Sequence, residues 1–189
     1  FTAWDEVSST VSFRDAPKDK PFFYVWNTLL THESRIWERS NKPLTVNPID
    51  VEIPSYFPDI PEVRNDIARK YSNIEAMDEK VGEIISQLEE DGLLENTIIM
   101  FWSDHGGNLL RQKRAVGNSG LNVPLIIRYP NKIDAGKVDD RIVSLMDLGP
   151  TVLSLLNIEP PKHYDGKAIA GRYEESPRPV SYTHLTLPT

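Results

Sequence analysis

The most regular alternation of apolar and polar positions runs from Pro61 to Gly92. Val63, Ile67, Tyr71, Ile74, Met77, Val81, Ile84, Ile85 and Leu88 recur at steps of three and four, and most positions between them are charged. That spacing predicts one long amphipathic helix, with Pro61 as its first residue and Asp91-Gly92 as its stop. Three shorter runs have a different character. Residues 21–27 are rich in aromatic and β-branched side chains, and residues 97–102 and 123–129 are almost wholly apolar. These predict strands. The second, bounded by Asn96 and Gly106-Gly107, reads as a central strand of a parallel sheet covered on both faces. Residues 41–61 hold five prolines and little periodicity, which predicts an ordered surface crossing. Asp147, followed by Leu148-Gly149-Pro150-Thr151 and an apolar run, predicts a second helix opened by a capping residue and an early proline. Helices and strands together predict an α/β fold.

Composition narrows the possibilities. The chain has 189 residues, enough to bury one core, and a net charge of −7, which gives no footprint for nucleic acid. No apolar run approaches the length of a membrane span. The absence of cysteine excludes a disulfide framework, a thiolate metal site and a thiol nucleophile. The chemistry-bearing stretch is Ser103-Asp104-His105-Gly106, at the carboxyl end of the central strand, where ligands collect in open α/β sheets. A carboxylate and an imidazole there suit a metal site or a phosphate or sulfate ester. The same residues also suit a turn in which the aspartate caps the backbone. A basic cluster, Arg111-Gln112-Lys113-Arg114, follows on the next loop, and His32 follows the first apolar run.

The order and spacing of Tyr71-Ser72-Asn73-Ile74-Glu75-Ala76-Met77-Asp78, Val81-Gly82, Asp91-Gly92, Asn96-Thr97-Ile98-Ile99, Ser103-Asp104-His105-Gly106 and Val123-Pro124-Leu125-Ile126-Ile127-Arg128-Tyr129-Pro130 closely resemble the type I sulfatase family. That family belongs to the alkaline-phosphatase-like superfamily. The resemblance runs from about Pro21 to Gly171. It implies an alkaline-phosphatase-like α/β fold, a mostly parallel central sheet flanked by helices, with residues 1–179 forming the later portion of a catalytic domain and hence an incomplete domain. It further implies that Asp104 is a carboxylate ligand of a divalent ion, most simply Ca2+. His105 would sit beside that ion, as a ligand or as a donor to bound sulfate. His32 and Lys113 would be catalytic and hold the sulfate ester, Lys113 standing at the family's spacing from Pro124. Arg111 and Arg114 would reach further anionic groups of the substrate. The family usually continues His-x-Pro, whereas this chain reads His32-Glu33-Ser34-Arg35. The family's nucleophile is a formylglycine made from Cys or Ser in a C/S-x-P-x-R motif. Neither that motif nor the paired aspartates that complete the metal site occurs in these residues. Both are expected upstream, and the 189-residue polypeptide alone is expected to be inactive.

The same resemblance implies a sulfated sugar or glycan as substrate, with some likeness to heparan N-sulfatase-type enzymes. It also implies a formylglycine-generating enzyme as maturation partner and a periplasmic or secreted location. The rival within the superfamily is a zinc-dependent phosphodiesterase or phosphotransferase, in which His105 suits the metal better than it suits calcium. The rival outside enzymology is a non-catalytic scaffold domain. Residues 180–189 resemble a translated sequencing adapter and are expected to be a non-native tail, so His184 and Tyr182 carry no functional weight.

Overall fold

The long periodic segment forms the expected helix, and much of the first part of the chain is built on it. The structure is a computed structural model that describes residues 3–130 and 135–179; the tail at 180–189 lies outside them. The chain divides into two units, Phe1–Leu94 with Gly107–Leu121, and Glu95–Gly106 with Asn122–Thr189.

In the first unit, α1 (Arg35–Glu38) precedes α2 (Pro61–Glu90), and a short α3 (Asn118–Leu121) closes the loop that re-enters the unit. Proline occupies the first turn of α2, where its missing N–H costs nothing. At the other end Gly92 adopts φ +68° and the Leu93 amide donates back to the Leu88 carbonyl. This left-handed exit favours glycine. The last turn of α2 carries no basic residue of its own. Arg14 supplies the cation instead, donating to Asp91 at 2.7 and 3.0 Å and to Glu90 at 3.1 Å, where the helix dipole favours positive charge.

The proline-rich crossing lies against α2. Val51, Ile67 and Ala68 form a buried cluster, with Leu44, Val46, Ile53, Val63 and Leu109 packed around it. Apolar periodicity does not account for all of the buried face, because Arg69, Ser72 and Asn73 are also buried. Their partners explain why. Arg69 donates to the carbonyls of Pro43, Lys42 and Ser40, Ser72 Oγ accepts from the amides of Thr45 and Val46, and Asn73 accepts from Arg39. A crossing interrupted by prolines forms no ladder, so its backbone groups are satisfied by helix side chains.

The segment 21–27 departs from expectation. Its side chains alternate between half-buried and exposed, as in a strand, but no strand pairing forms there. Phe22 and Tyr24 pack on the buried Phe13 ring, and Phe23 stacks on Trp4 at 5.8 Å. The extended backbone is held by rings, not by a ladder.

In the second unit, β1 (Ile99–Trp102) and β2 (Leu125–Arg128) pair antiparallel, with Ile99 opposite Arg128 and Trp102 opposite Leu125. The expected parallel pairing of this strand, covered on both faces, is therefore corrected. The connection between the two strands is long enough for either direction, and an apolar run reports burial without reporting strand direction. Among the described residues the sheet has two strands. Its side chains are accordingly half-buried, and Ile126 is largely exposed.

Helix α4 (Leu148–Leu155) follows a 3-10 turn at Leu145–Asp147. Asp147, expected to cap the helix with its side chain, caps the turn before it. Its carboxylate accepts from the Ser144 and Lys167 amides, each at 2.8 Å, and from Arg178 at 2.6 Å. Burial pushes this carboxyl up, but Arg178 and the two amides outweigh it and hold it below the ordinary aspartate value. Gly166 passes so close to Met146 that a Cβ would lie 2.0 Å from its carbonyl oxygen, so glycine is required there.

Candidate active site

His32 and Lys113, 81 residues apart, meet in the first unit. Two loops bring them there. The Asn108 side chain donates to the Thr31 carbonyl at 3.2 Å, fastening the second loop to the first. The Lys113 amide donates to the Gly107 carbonyl at 2.9 Å, closing a turn around Gln112. Gln112 Oε1 accepts from the Leu109 amide and from Lys70, both at 3.3 Å. A Cβ on Gly107 would lie 2.1 Å from that oxygen and 2.7 Å from Lys70 Nζ, so the turn closes only over glycine or with displaced side chains. Burial pulls the Lys70 ammonium below the usual lysine value.

Lys113 Nζ lies 3.2 Å from His32 Nε2. An ammonium only donates, so the ring nitrogen accepts and the neutral ring carries its proton on Nδ1, 3.2 Å from Ser34 Oγ. The other tautomer would let Nδ1 accept from the Ser34 amide at 3.3 Å but would set N–H against the ammonium. The lysine thus selects the tautomer, and one proton bridges two basic nitrogens.

Glu33 completes this cluster. Its carboxylate takes both arms of the Arg114 guanidinium at 3.0 and 3.1 Å and lies 3.6 Å from Lys113 Nζ. Burial would raise this carboxyl. Arg114 and, after it, Lys113 bring it below the ordinary glutamate value. The four basic-loop and histidine positions therefore separate. His32, Lys113 and Arg114 gather around Glu33, whereas Arg111 stands apart, in a left-handed backbone conformation (φ 61°) with its guanidinium 5.3 Å from the centre of the Tyr56 ring.

Sequence reading missed Glu33, Ser34, Lys70 and Gln112 as members of this cluster. The departure from His-x-Pro at Glu33-Ser34 was the available signal, together with the opposite charges of residue 33 and the 111–114 loop.

Asp104 and His105 belong to the second unit. Ser103 Oγ donates to the His105 carbonyl at 2.8 Å, and His105 Nδ1 lies 2.8 Å from the Gly106 carbonyl. A carbonyl only accepts, so Nδ1 donates, and a ring with its single proton there presents a lone pair at Nε2. That atom is 3.6 Å from Asp104 Oδ2, and the aspartate side chain is 82% accessible. A carboxylate and an imidazole nitrogen this close make a pair that a cation between them would complete. The pair thus fits a divalent ion as two of its ligands. Among the described residues no group of three or more His, Cys, Asp or Glu gathers, so this pair alone does not make a closed site. The carboxylate suits calcium and the imidazole suits a softer ion.

Comparison with known proteins places these residues in context. The sulfatase family model matches residues 5–158. An ulvan-active sulfatase of Formosa agariphila is 38% identical over 97% of this chain and 36% of its own length. Human N-sulphoglucosamine sulphohydrolase is 32% identical over 64% of this chain and 24% of its own length. The chain thus spans between about a quarter and a third of these relatives. A Bacteroides thetaiotaomicron protein solved in work on glycosaminoglycan metabolism superposes with a TM-score of 0.54 at 22% identity, covering 87% of this chain and 34% of that one. That likeness bears on fold alone. It agrees with the alkaline-phosphatase-like α/β class and with a chain that is part of a domain. With the family model matching most of its length, this chain belongs to the sulfatase family.

Proposed function

We propose that the protein carrying this chain is a sulfuric ester hydrolase acting on sulfated sugars or glycans. The observation that carries the reading is the approach of Lys113 Nζ to His32 Nε2 at 3.2 Å, in a chain of the sulfatase family. Sulfate-ester hydrolysis needs cationic donors on the sulfuryl oxygens and a proton for the departing alcohol. Lys113 donates to the sulfuryl group, and the Lys113–His32 pair holds the proton that the leaving oxygen takes. The Ser34 hydroxyl fixes the His32 ring so that Nε2 faces the lysine.

Sulfatases work with a divalent ion and a formylglycine. The ion stabilises developing negative charge and the formylglycine hydrate supplies the attacking hydroxyl. In this chain Asp104 and His105 would hold that ion, with Ca2+ the ion proposed. The formylglycine lies on a residue outside these 189 residues, and a formylglycine-generating enzyme is the maturation partner. Arg111, over the Tyr56 ring, and Arg114, tied to Glu33, would meet further anionic groups of the substrate. Sulfated glycans are favoured because two relatives are named for ulvan and for N-sulphoglucosamine. A periplasmic or secreted location belongs to the same proposal. No described helix is long and apolar enough to cross a membrane.

The test is the full-length protein, coexpressed with a formylglycine-generating enzyme and assayed on an aryl sulfate and an aryl phosphate. Sulfate release that is lost in Asp104→Ala supports the reading. Phosphate release alone, rising with zinc, would replace it with the phosphoryl-transfer alternative.

A further inference from the structure

A carboxylate beside an anion-binding lysine is electrostatically out of place. At a few ångströms an ionised carboxylate repels the sulfuryl group that the lysine attracts, and partial burial strengthens that repulsion. Yet Glu33 is held ionised in this position. It lies 3.6 Å from Lys113 Nζ, its side chain is only 20% accessible, and Arg114 grips both of its oxygens. Its pKa is held below the ordinary value by those same cations, against the effect of burial.

Geometry supplies the reason. Lysine carries its charge on a flexible four-carbon stem, and losing that freedom is unfavourable. His32 Nε2 gives Lys113 one neutral partner. Glu33 gives it a charged one, and the planar Arg114 fork fixes the carboxylate in turn. The chain Arg114–Glu33–Lys113–His32 therefore orients the ammonium before any substrate arrives.

We infer that Glu33 is a positioning residue that holds Lys113 for turnover while weakening the hold of the cluster on anions. The inference rests on the sulfatase reading for its effect on turnover, but its effect on anion binding stands apart from that reading. It is tested on the full-length, formylglycine-bearing protein as wild type, Glu33→Gln, Glu33→Asp and Arg114→Gln. Two probes are used, hydrolysis of 4-nitrophenyl sulfate and binding of inorganic sulfate by calorimetry.

Glu33→Gln is expected to lower kcat about tenfold through loss of orientation, and to tighten inorganic sulfate roughly three- to tenfold by removing a repelling charge. Glu33→Asp should recover most of kcat. A merely structural residue would lower kcat and weaken sulfate together, without rescue by aspartate, and that result overturns the inference, as does a kcat within about twofold of wild type. Should the wild type fail to hydrolyse the aryl sulfate, the sulfatase reading is what suffers. The sulfate titration then decides Glu33 alone, where tighter binding in Glu33→Gln supports the inference and equal or weaker binding overturns it. Arg114→Gln removes a positive charge and leaves Glu33 to Lys113, so sulfate should weaken by a similar factor. No change in that variant overturns the inference even if Glu33→Gln does not fold.

Discussion

The cluster around His32 and the pair at Asp104–His105 are both small sets of polar side chains, but they are satisfied in opposite ways. His32, Glu33, Lys113 and Arg114 meet one another's charges and hydrogen bonds, so that side of the chemistry is assembled without any ligand. Asp104 Oδ2 and His105 Nε2 stand 3.6 Å apart without a further charged partner among the described residues, and the aspartate is largely in solvent. Cations gathered for an anion need an internal counter-charge to coexist, which Glu33 provides. Under the proposed function Asp104 and His105 would be ligands of a cation, and that ion would supply the charge they lack. On this view the first set is preorganised by protein contacts and the second is completed by what it binds.

Ion removal tests that contrast most severely. Asp104→Ala in the full-length protein should lose bound calcium, measured by elemental analysis, and sulfatase activity should fall by about 10³-fold or more. Lys113→Ala should cost roughly 10²- to 10³-fold in kcat/KM but keep its calcium. Loss of calcium in that variant as well would erase the distinction between the two sets.

A third measurement sets a purely structural ion pair beside the functional one. Arg178→Ala strands the Asp147 carboxylate, which is 1% exposed, and should destabilise the second unit by roughly 2–3 kcal/mol in thermal or urea unfolding. The pH dependence has a definite sign. The folded Asp147 carboxyl lies below its ordinary 3.8, so its contribution is complete above that value and is lost as pH falls through the lower, folded one. The difference between wild type and Arg178→Ala should therefore shrink below about pH 4. The smallest effect expected is that of Arg111→Ala, which should raise KM by about two- to fivefold, since an exposed, singly placed charge contributes little. A larger effect for sulfated oligosaccharides than for an aryl sulfate would sharpen its role in reaching a second anionic group.

Much of this was legible along the chain. The 3.6-residue period marked α2, and Pro61 and Asp91-Gly92 marked its ends, because propensity and capping act within a turn or two. The crossing at 41–61 followed from its prolines. The Ser103-Asp104-His105-Gly106 stretch stood out at a strand end and Lys113 through the family resemblance alone; the family match agrees with that resemblance, and the roles of these residues belong to the proposal. The strand-like run at 21–27 showed its alternation but not its lack of a partner, because period two reports an extended backbone and not a ladder.

What the sequence by itself determined is therefore the local and the periodic: where the backbone is helical, where it is extended, and which side chains stand at the ends of those elements. Tertiary structure decided the partnerships. It set β1 antiparallel to β2, buried Arg69 and Ser72 against carbonyls and amides of the crossing and Asn73 against Arg39, withdrew Asp147 from its helix to meet Arg178, and brought Glu33 between Lys113 and Arg114. Hydrogen-bond valence and charge fix how many partners each of these groups requires. Which partner arrives depends on how loops tens of residues apart are laid together, and no spacing rule along the chain encodes that.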